Sequence, residues 1–465
     1  MRWWHTLSDG EVAAVVAVVV LGVWTRRPLL VIAIVGVVWT AGLRRAVCSA
    51  AAVAGLLGVA ASHHAWAAVQ PDQLGAFEGV ACLVTDPAPV NGVVVAVLEM
   101  DGERFETWAR GSPRRRLTSH LAGECATVVG ERRALTGTGG RCAAVRHVVG
   151  GVVLESVGDW SAGGPLDRAS NRVRRLFGRG AGLLRSPDDA LFAGLVIGDD
   201  RNEPVTMIGE FRASGLSHLT AVSGQNVAYV LAAAAPLLRR ARPWWRWMFT
   251  VGLIAWFVAL TRFEPSVLRA GVMAGIAATG VVLGREKPPA RVLALAVGVL
   301  VLVDPLLVWS VGFWLSVGAT GGVALLASRL AAYVPGPDWI AIPIGVTLGA
   351  QAGVAPVSLL VFGSLPIVSL PANLLAVPVA GLVMLYGLPA GLLAGALAPG
   401  PLSGVATLLQ VPSGLGTRWV ATVASLGARI EPGTTVALVG WVAVILVIGC
   451  RVMMSRRQPV CEGVG

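Results

Sequence analysis

Residues 198–229 read GDDRNEPVTMIGEFRASGLSHLTAVSGQNVAY, an amphipathic stretch running into a helical pattern rich in uncharged polar groups. At about 100° per residue, Thr220, Ser223 and Asn226 fall on one side of that helix, and His218 with Gln225 on another. A helix facing lipid would not carry both sets. Ser223-Gly224 in the middle predicts a discontinuity where backbone groups line a cavity, as in transporters. Hydrogen bonding between membrane helices accounts for the same Ser, Asn and Gln residues equally well. A hydrolase with Ser223 as nucleophile and His218 as base is the enzymatic alternative. It lacks support, because the two lie five residues apart on different faces, with no nucleophile elbow and no third orienting carboxylate.

The segment TRFEPSVLRAGVMAGIAATGVVL (261–283) places Arg269 about one turn inside a helix. An ionisable residue there is a functional hypothesis with an expected partner. Arg262 and Arg269 are seven apart, a spacing that shares a helix face and lets two guanidinium groups hold phosphate oxygens. Snorkelling, or pairing with Glu264 or Asp304, is the structural alternative for Arg269. Asp304-Pro305 reads as an N-cap followed by Pro at the first helical position. Asp199-Asp200-Arg201 reads as a hydrophilic loop, with cation coordination the costlier explanation. Gln351 inside Gly349-x-x-x-Gly353 marks tight helix packing, and Asn373 between Pro371 and Pro378 faces a cavity if that helix is broken. Trp244-Trp245-Arg246-Trp247 reads as an interfacial anchor, although a single-strand stacking platform uses the same residue types. The only lysine, Lys287, follows Glu286, so no phosphate-binding loop is present. The six histidines show no metal-ligand spacing, so no metal, no cofactor and no enzymatic activity are expected.

The elements that must position these residues are membrane helices. The chain has 465 residues, 55% hydrophobic and 14% charged, with mean hydropathy +0.72, which excludes an ordinary soluble enzyme. Apolar runs lie near 12–24, 28–43 and 46–61, then 190–198, 219–238, 247–260, 266–284, 290–303, 306–327, 339–362, 366–385, 388–411 and 434–450. Prolines 343, 356, 366, 371, 378 and 389 predict kinked or broken helices in the last third. Residues 171–185, with arginines at 172, 174, 175, 179 and 185, read as an interfacial amphipathic helix. Residues 62–168 differ: they hold 10 basic and 12 acidic residues within a net charge of +11. Alternating segments at 79–85, 93–100, 105–109, 126–130 and 144–156, separated by Asn-Gly and Gly-Gly turns, predict five strands in a small OB-like barrel. Arginines at 44–45, 239–246, 285–291 and 329 fall on the cytoplasmic side if the helices alternate, which puts residues 62–168 outside. In an oxidising compartment Cys125 and Cys142, enclosing 16 residues, are expected to form a disulfide of about 3 kcal/mol, leaving Cys82 free.

The blocks GDDRNEP, FRASGLSHLTAVSGQNVAYVLA, PSVLRAGVMA, DPLLVWSVGFWLSVGATGG, GAQAGVAPVSLLVFG and SLPANLLAVPVAGLV, in this order over 198–389, resemble the ComEC-type competence proteins, the DNA-internalisation channels of transformable bacteria. Residues 62–168, including RHVVGGV at 146–152, resemble that family's extracytoplasmic OB-like domain. Members often carry Ser-Gly-Leu-His-Val where this chain has Ser223-Gly224-Gln225-Asn226-Val227, so a role tied to that histidine does not transfer. Many also continue into a metallo-β-lactamase-like domain, for which this sequence shows no counterpart; a separate nuclease is then expected.

The resemblance implies a polytopic α-helical membrane protein with a small all-β (OB-like) extracytoplasmic domain. It divides into N-terminal transmembrane helices (1–61), the OB-like domain (62–168), a multipass channel core (169–457) and a tail (458–465). The implied function is an inner-membrane channel for uptake of single-stranded DNA during transformation; a polytopic secondary transporter of a small solute is the alternative. The DNA path is expected to involve Arg212, His218, Thr220, Ser223, Gly224, Gln225, Asn226, Arg262, Arg269, Gln351 and Asn373. Expected partners are the lipid membrane, single-stranded DNA, DNA-receptor proteins, a cytoplasmic ATPase or helicase, and further copies of the chain. A motor is required because an inside-negative potential opposes each entering phosphate by about 2.3 kcal/mol per 100 mV.

Overall fold

A computed structural model describes residues 8–40, 44–135, 137–220 and 224–456. Three helices open the chain: α1 (Asp9–Thr25), α2 (Pro28–Thr40) and α3 (Arg45–Ala67). Ser8 caps α1, its hydroxyl accepting from the Glu11 N–H while the Glu11 carboxylate accepts from the Ser8 N–H. Left-handed Arg26 (φ 54°) then ends the helix.

A six-stranded module follows: β1 (Gly75–Leu83), β2 (Ala88–Val90), β3 (Val93–Met100), β4 (Glu103–Ala109), β5 (Cys125–Ala134) and β6 (Gly150–Ser161). The order is β1-β5-β6-β4-β3-β2, and a further β1–β3 pairing closes it into a barrel. Only β4–β6 is parallel. Asn91-Gly92 and Asp101-Gly102 all have positive φ, the two-residue hairpin turn that matches strand twist. Phe77, Leu98, Met100, Phe105 and Val128 fill the interior.

Three expectations are corrected here. The extra strand β2 is three residues long and contains Pro89, too short for an alternation signal. Within 144–156 only the part from Gly150 is strand; Ala144 ends helix α5 (Gly137–Ala144), and α4 (Gly111–Thr118) lies between β4 and β5. The disulfide joins Cys82 to Cys125, not Cys125 to Cys142, and Cys142 is free and exposed. Cys82 and Cys125 are direct cross-strand partners in the β1–β5 ladder, whereas Cys142 sits on α5. Strand register, not loop length, selected the pair.

The rest is helical: α6 (Pro165–Ala181), α7 (Asp188–Ile197), α8 (Val205–Ala213), α9 (Ser217–Thr220), α10 (Gly224–Leu238), α11 (Pro243–Leu260), α12 (Pro265–Val282), α13 (Pro289–Val303), a 3-10 turn (Pro305–Trp309), α14 (Val311–Ala331), α15 (Asp338–Phe362), α16 (Ser369–Leu397), α17 (Ser403–Ile430) and α18 (Thr434–Arg456). Among the described residues α3, α12, α14, α15 and α16 are long and apolar enough to cross a membrane, so this is a polytopic membrane protein. The expected breaks at Pro343, Pro356, Pro378 and Pro389 are absent: α15 and α16 run through them as continuous helices. The runs read as 366–385 and 388–411 therefore become α16 and a later α17.

Helix α6 begins at Pro165, six residues before the predicted amphipathic segment, and is not simply interfacial. Its Asn171, Arg174 and Phe177 are buried, and Phe177 stacks on Phe192 of α7 in a core shared with α8, α16 and α17. The 3-10 turn has the predicted cap: the Asp304 carboxylate accepts from the Leu306 N–H, with Pro305 first in the turn. That carboxylate also meets the His147 ring at 3.1 Å, linking the barrel segment to the helices.

Candidate functional site

Two polar assemblies stand out, one at the junction of barrel and helices and one among the membrane helices. The first centres on Asp86, in the turn after β1. Its carboxylate accepts from the Ala122 N–H at 2.7 Å, pairs with Arg174 of α6 at 2.9 Å and with Arg262 at 3.0 Å. Burial alone would raise this carboxyl, but Arg174, Arg262 and Arg201 outweigh it and hold Asp86 below the usual carboxylate range.

Arg174 also donates to the carbonyls of Ile197 and Leu260 at 3.2 Å each, which are the last residues of α7 and α11. Arg262 donates to Asn171 at 2.6 Å. Arg201 closes the assembly with two 2.6 Å bonds to Asp199. One buried cluster thus ties together the barrel, α6, loop 198–204 and the turn before α12.

Arg262 therefore does not share a helix face with Arg269: it precedes α12 in a left-handed conformation (φ 60°) and is occupied by the barrel. Asp199-Asp200-Arg201 is a paired loop, and the described residues contain no group of three acidic, Cys or His side chains that could hold a metal. In the same loop Glu203 is buried, with Oε1 lacking a hydrogen-bond partner and lying against Gly194. Burial, then Asp200 and Asp199, push its carboxyl up to about 8.

The second assembly surrounds the start of α10. Ser223 lies outside the described residues with Ala221 and Val222, so the expected discontinuity at Ser223-Gly224 falls there; α9 ends at Thr220 before them and α10 is described from Gly224. Arg269 of α12 is buried and donates to Thr320 of α14 at 2.7 Å and to Ser316 of the same helix. Neither Glu264 nor Asp304 is its partner. A Cβ placed on Gly224 would lie 3.5 Å from the Arg269 guanidinium, so Gly224 permits the approach of α10 and α12.

Asn226 donates to the Leu195 carbonyl at 3.0 Å and Gln225 to the Tyr229 hydroxyl at 3.0 Å. Gln351 of α15 donates to the Ser369 hydroxyl at 2.9 Å, while Asn373 donates to the Ser369 carbonyl at 2.7 Å. Thr220 donates back to Ser217 at 3.2 Å; Arg212 and His218 are exposed. The structure thus brings Gly224 to Arg269, and Gln351 to Asn373 through Ser369. Asp86, Asn171, Arg174, Ser316 and Thr320 were not singled out from sequence. Arg174 stood in a run of arginines, and its helical spacing, three residues from Phe177 and away from Arg172, was the signal for burial.

Helices α10, α12, α14, α15 and α16 touch in a closed cycle, α16 returning to α10. Each contributes at least one polar group named above. The seam between α14 and α15 is the tightest part. A Cβ on Gly318 or Gly322 would collide with the Gly353 or Gly349 carbonyl, and the reverse substitutions are equally blocked.

Comparison with known proteins gives a consistent picture. A family profile described as "Competence protein" matches residues 195–458. "Uncharacterized protein YcaI" of Escherichia coli K12 is 28% identical over 211 residues, 41% of this chain and 27% of that protein. "ComE operon protein 3" of Bacillus subtilis 168 is 28% identical over 212 residues, 45% of this chain and 27% of that protein. The matched region spans about a quarter of the length of either relative. No solved structure matches significantly.

Proposed function

Because the chain belongs to the competence protein family, we propose that it is an inner-membrane channel carrying single-stranded DNA into the cytoplasm during natural transformation. The observation that carries the channel reading is the closed cycle of α10, α12, α14, α15 and α16, with Gln225, Arg269, Ser316, Gln351 and Asn373 contributed one from each. Helices packed only on lipid gain nothing from such groups, while a solvated strand needs a wall that can replace water.

The barrel is read as the OB-like receiving domain on the outer side, a reading supported by the basic runs at 239–246 and 285–291, which favour the cytoplasmic side. Cells deleted for the gene should lose transformation and uptake of labelled DNA; normal transformation would overturn the proposal. A cytoplasmic ATPase is proposed as motor, since the membrane potential opposes each phosphate. Proteoliposomes holding this chain alone should bind or leak single strands without accumulating them. ATP-dependent accumulation by the purified chain would sink the motor proposal.

A further inference from the structure

Helix α6 carries two sets of arginines with opposite fates. Arg174 is buried on the face that packs against the core. On the other side Arg168, Arg172, Arg175 and Arg179 recur at helical spacing and are all exposed. Successive members are about 4.5–6 Å apart along the axis. Only Arg175 is paired, with Glu124. Among the described residues Arg168, Arg172 and Arg179 make no ion pair or hydrogen bond through their guanidinium groups. The neighbouring acid Asp167 lies instead against Gly123.

The four arginines line a cleft of about 780 Å³ together with Glu124, just before β5, and Ala162 and Gly163 of the linker from β6 to α6. A second cavity of about 270 Å³ adjoins it at Arg175 and Gly178 and reaches Ser119, His120 and Arg201. His120 stacks flat on Trp160, ring centroids 3.8 Å apart. The groove thus starts between barrel and helix and leads to loop 198–204.

We propose that this arginine-lined groove is a binding site for the sugar-phosphate backbone of a single-stranded polynucleotide, positioned to pass it from the barrel toward the helical core. The identity of the polyanion rests on the uptake reading above. Unpaired guanidinium groups at regular spacing suit a repeating phosphate, and a flat aromatic pair beside them suits base stacking. A stripe for lipid headgroups would need only an open surface, whereas these arginines border a cleft that Glu124, Ala162 and Gly163 also line.

The test uses the full chain in nanodiscs, with a fluorescent oligo-dT strand and a salt series. The triple variant R168Q/R172Q/R179Q removes three charges that hold nothing in the fold. With a slope of about −0.7 per phosphate contact for single strands, it should weaken binding roughly tens-fold near 0.15 M salt and flatten the salt slope by about 2. Unchanged affinity and slope would overturn the site. So would strand binding that is unaltered while the variant loses its preference for anionic over zwitterionic nanodiscs, which would make the stripe a lipid contact. Deletion cells that transform normally while the variant still loses strand binding would refute the uptake reading and leave the groove standing. Normal uptake by cells carrying the variant, with unchanged binding, would do the reverse.

Discussion

Glu203 is a carboxyl whose surroundings, not its type, decide its charge. The sequence presents it as one more acid in a hydrophilic loop, and nothing in GDDRNEP says that its side chain turns inward against Gly194. Buried beside Asp200 and Asp199, it holds its proton up to about pH 8, against an ordinary value of 4.5. Between those values the folded state binds a proton that the unfolded chain has released. Stability therefore falls as pH rises from about 4.5 through about 8, and this residue makes no contribution to pH dependence below that window. Glu203→Gln should remove that slope: its thermal midpoint in detergent should match wild type at pH 4.5 and exceed it at pH 8.5. Parallel profiles for the two proteins would show that Glu203 does not carry the proton. Arg174 makes the same point for a base, since its guanidinium stood in a row of similar arginines until packing buried it.

At the scale of elements, hydropathy located most of the long apolar helices, because an apolar run of sufficient length has few alternatives in water or lipid, but not α4, α5 or α8. The prolines of α15 and α16 predicted kinked or broken helices, and of the two outcomes a break does not occur, because both helices continue through them. Small-residue spacing was more informative. Gly349-x-x-x-Gly353 predicted close packing, and α14 supplies the matching Gly318 and Gly322, with backbone meeting backbone. Because a carbonyl cannot move aside as a side chain can, Gly322→Leu should separate α14 from α15 and lower the thermal midpoint by several degrees. Gly275→Leu on α12, where an added Cβ meets nothing within 4 Å, is the control and should be nearly neutral. Equal loss in both variants would mean that the membrane helices reject bulk anywhere rather than at this seam. In the barrel, alternation found the long strands, but it could not decide which cysteines become cross-strand partners.

Across the whole molecule the barrel is held to the helices by charge. Asp86, Arg174 and Arg262 come from segments up to 176 residues apart, and their side chains are almost out of solvent. Removing one member of a buried pair leaves an uncompensated charge, a loss of about 3–5 kcal/mol, while replacing both by apolar groups is often neutral. Asp86→Ala should therefore lower the thermal midpoint and expose the segments flanking the barrel to protease. Adding Arg174→Met should recover much of the loss, although Arg262 keeps only its bond to Asn171. A single variant as resistant as wild type would show that the barrel is held by other contacts, such as His147 to Asp304.

What the sequence determined by itself is the set of properties that depend on neighbours along the chain. Composition and run length specify a membrane protein, alternation and Asn-Gly turns specify a small β module between helices, and Asp304-Pro305 specifies its own cap. The family was legible for the same reason, from its ordered motifs. The tertiary structure alone decided which polar groups of the chain meet: Arg262 with Asp86 and Asn171, Arg269 with Ser316 and Thr320, and Cys82 with Cys125. Those pairings depend on strand register and helix docking, which bring together residues far apart in sequence. No local pattern records them, because a charged side chain has the same sequence signature whether its partner is water, a ligand or another helix.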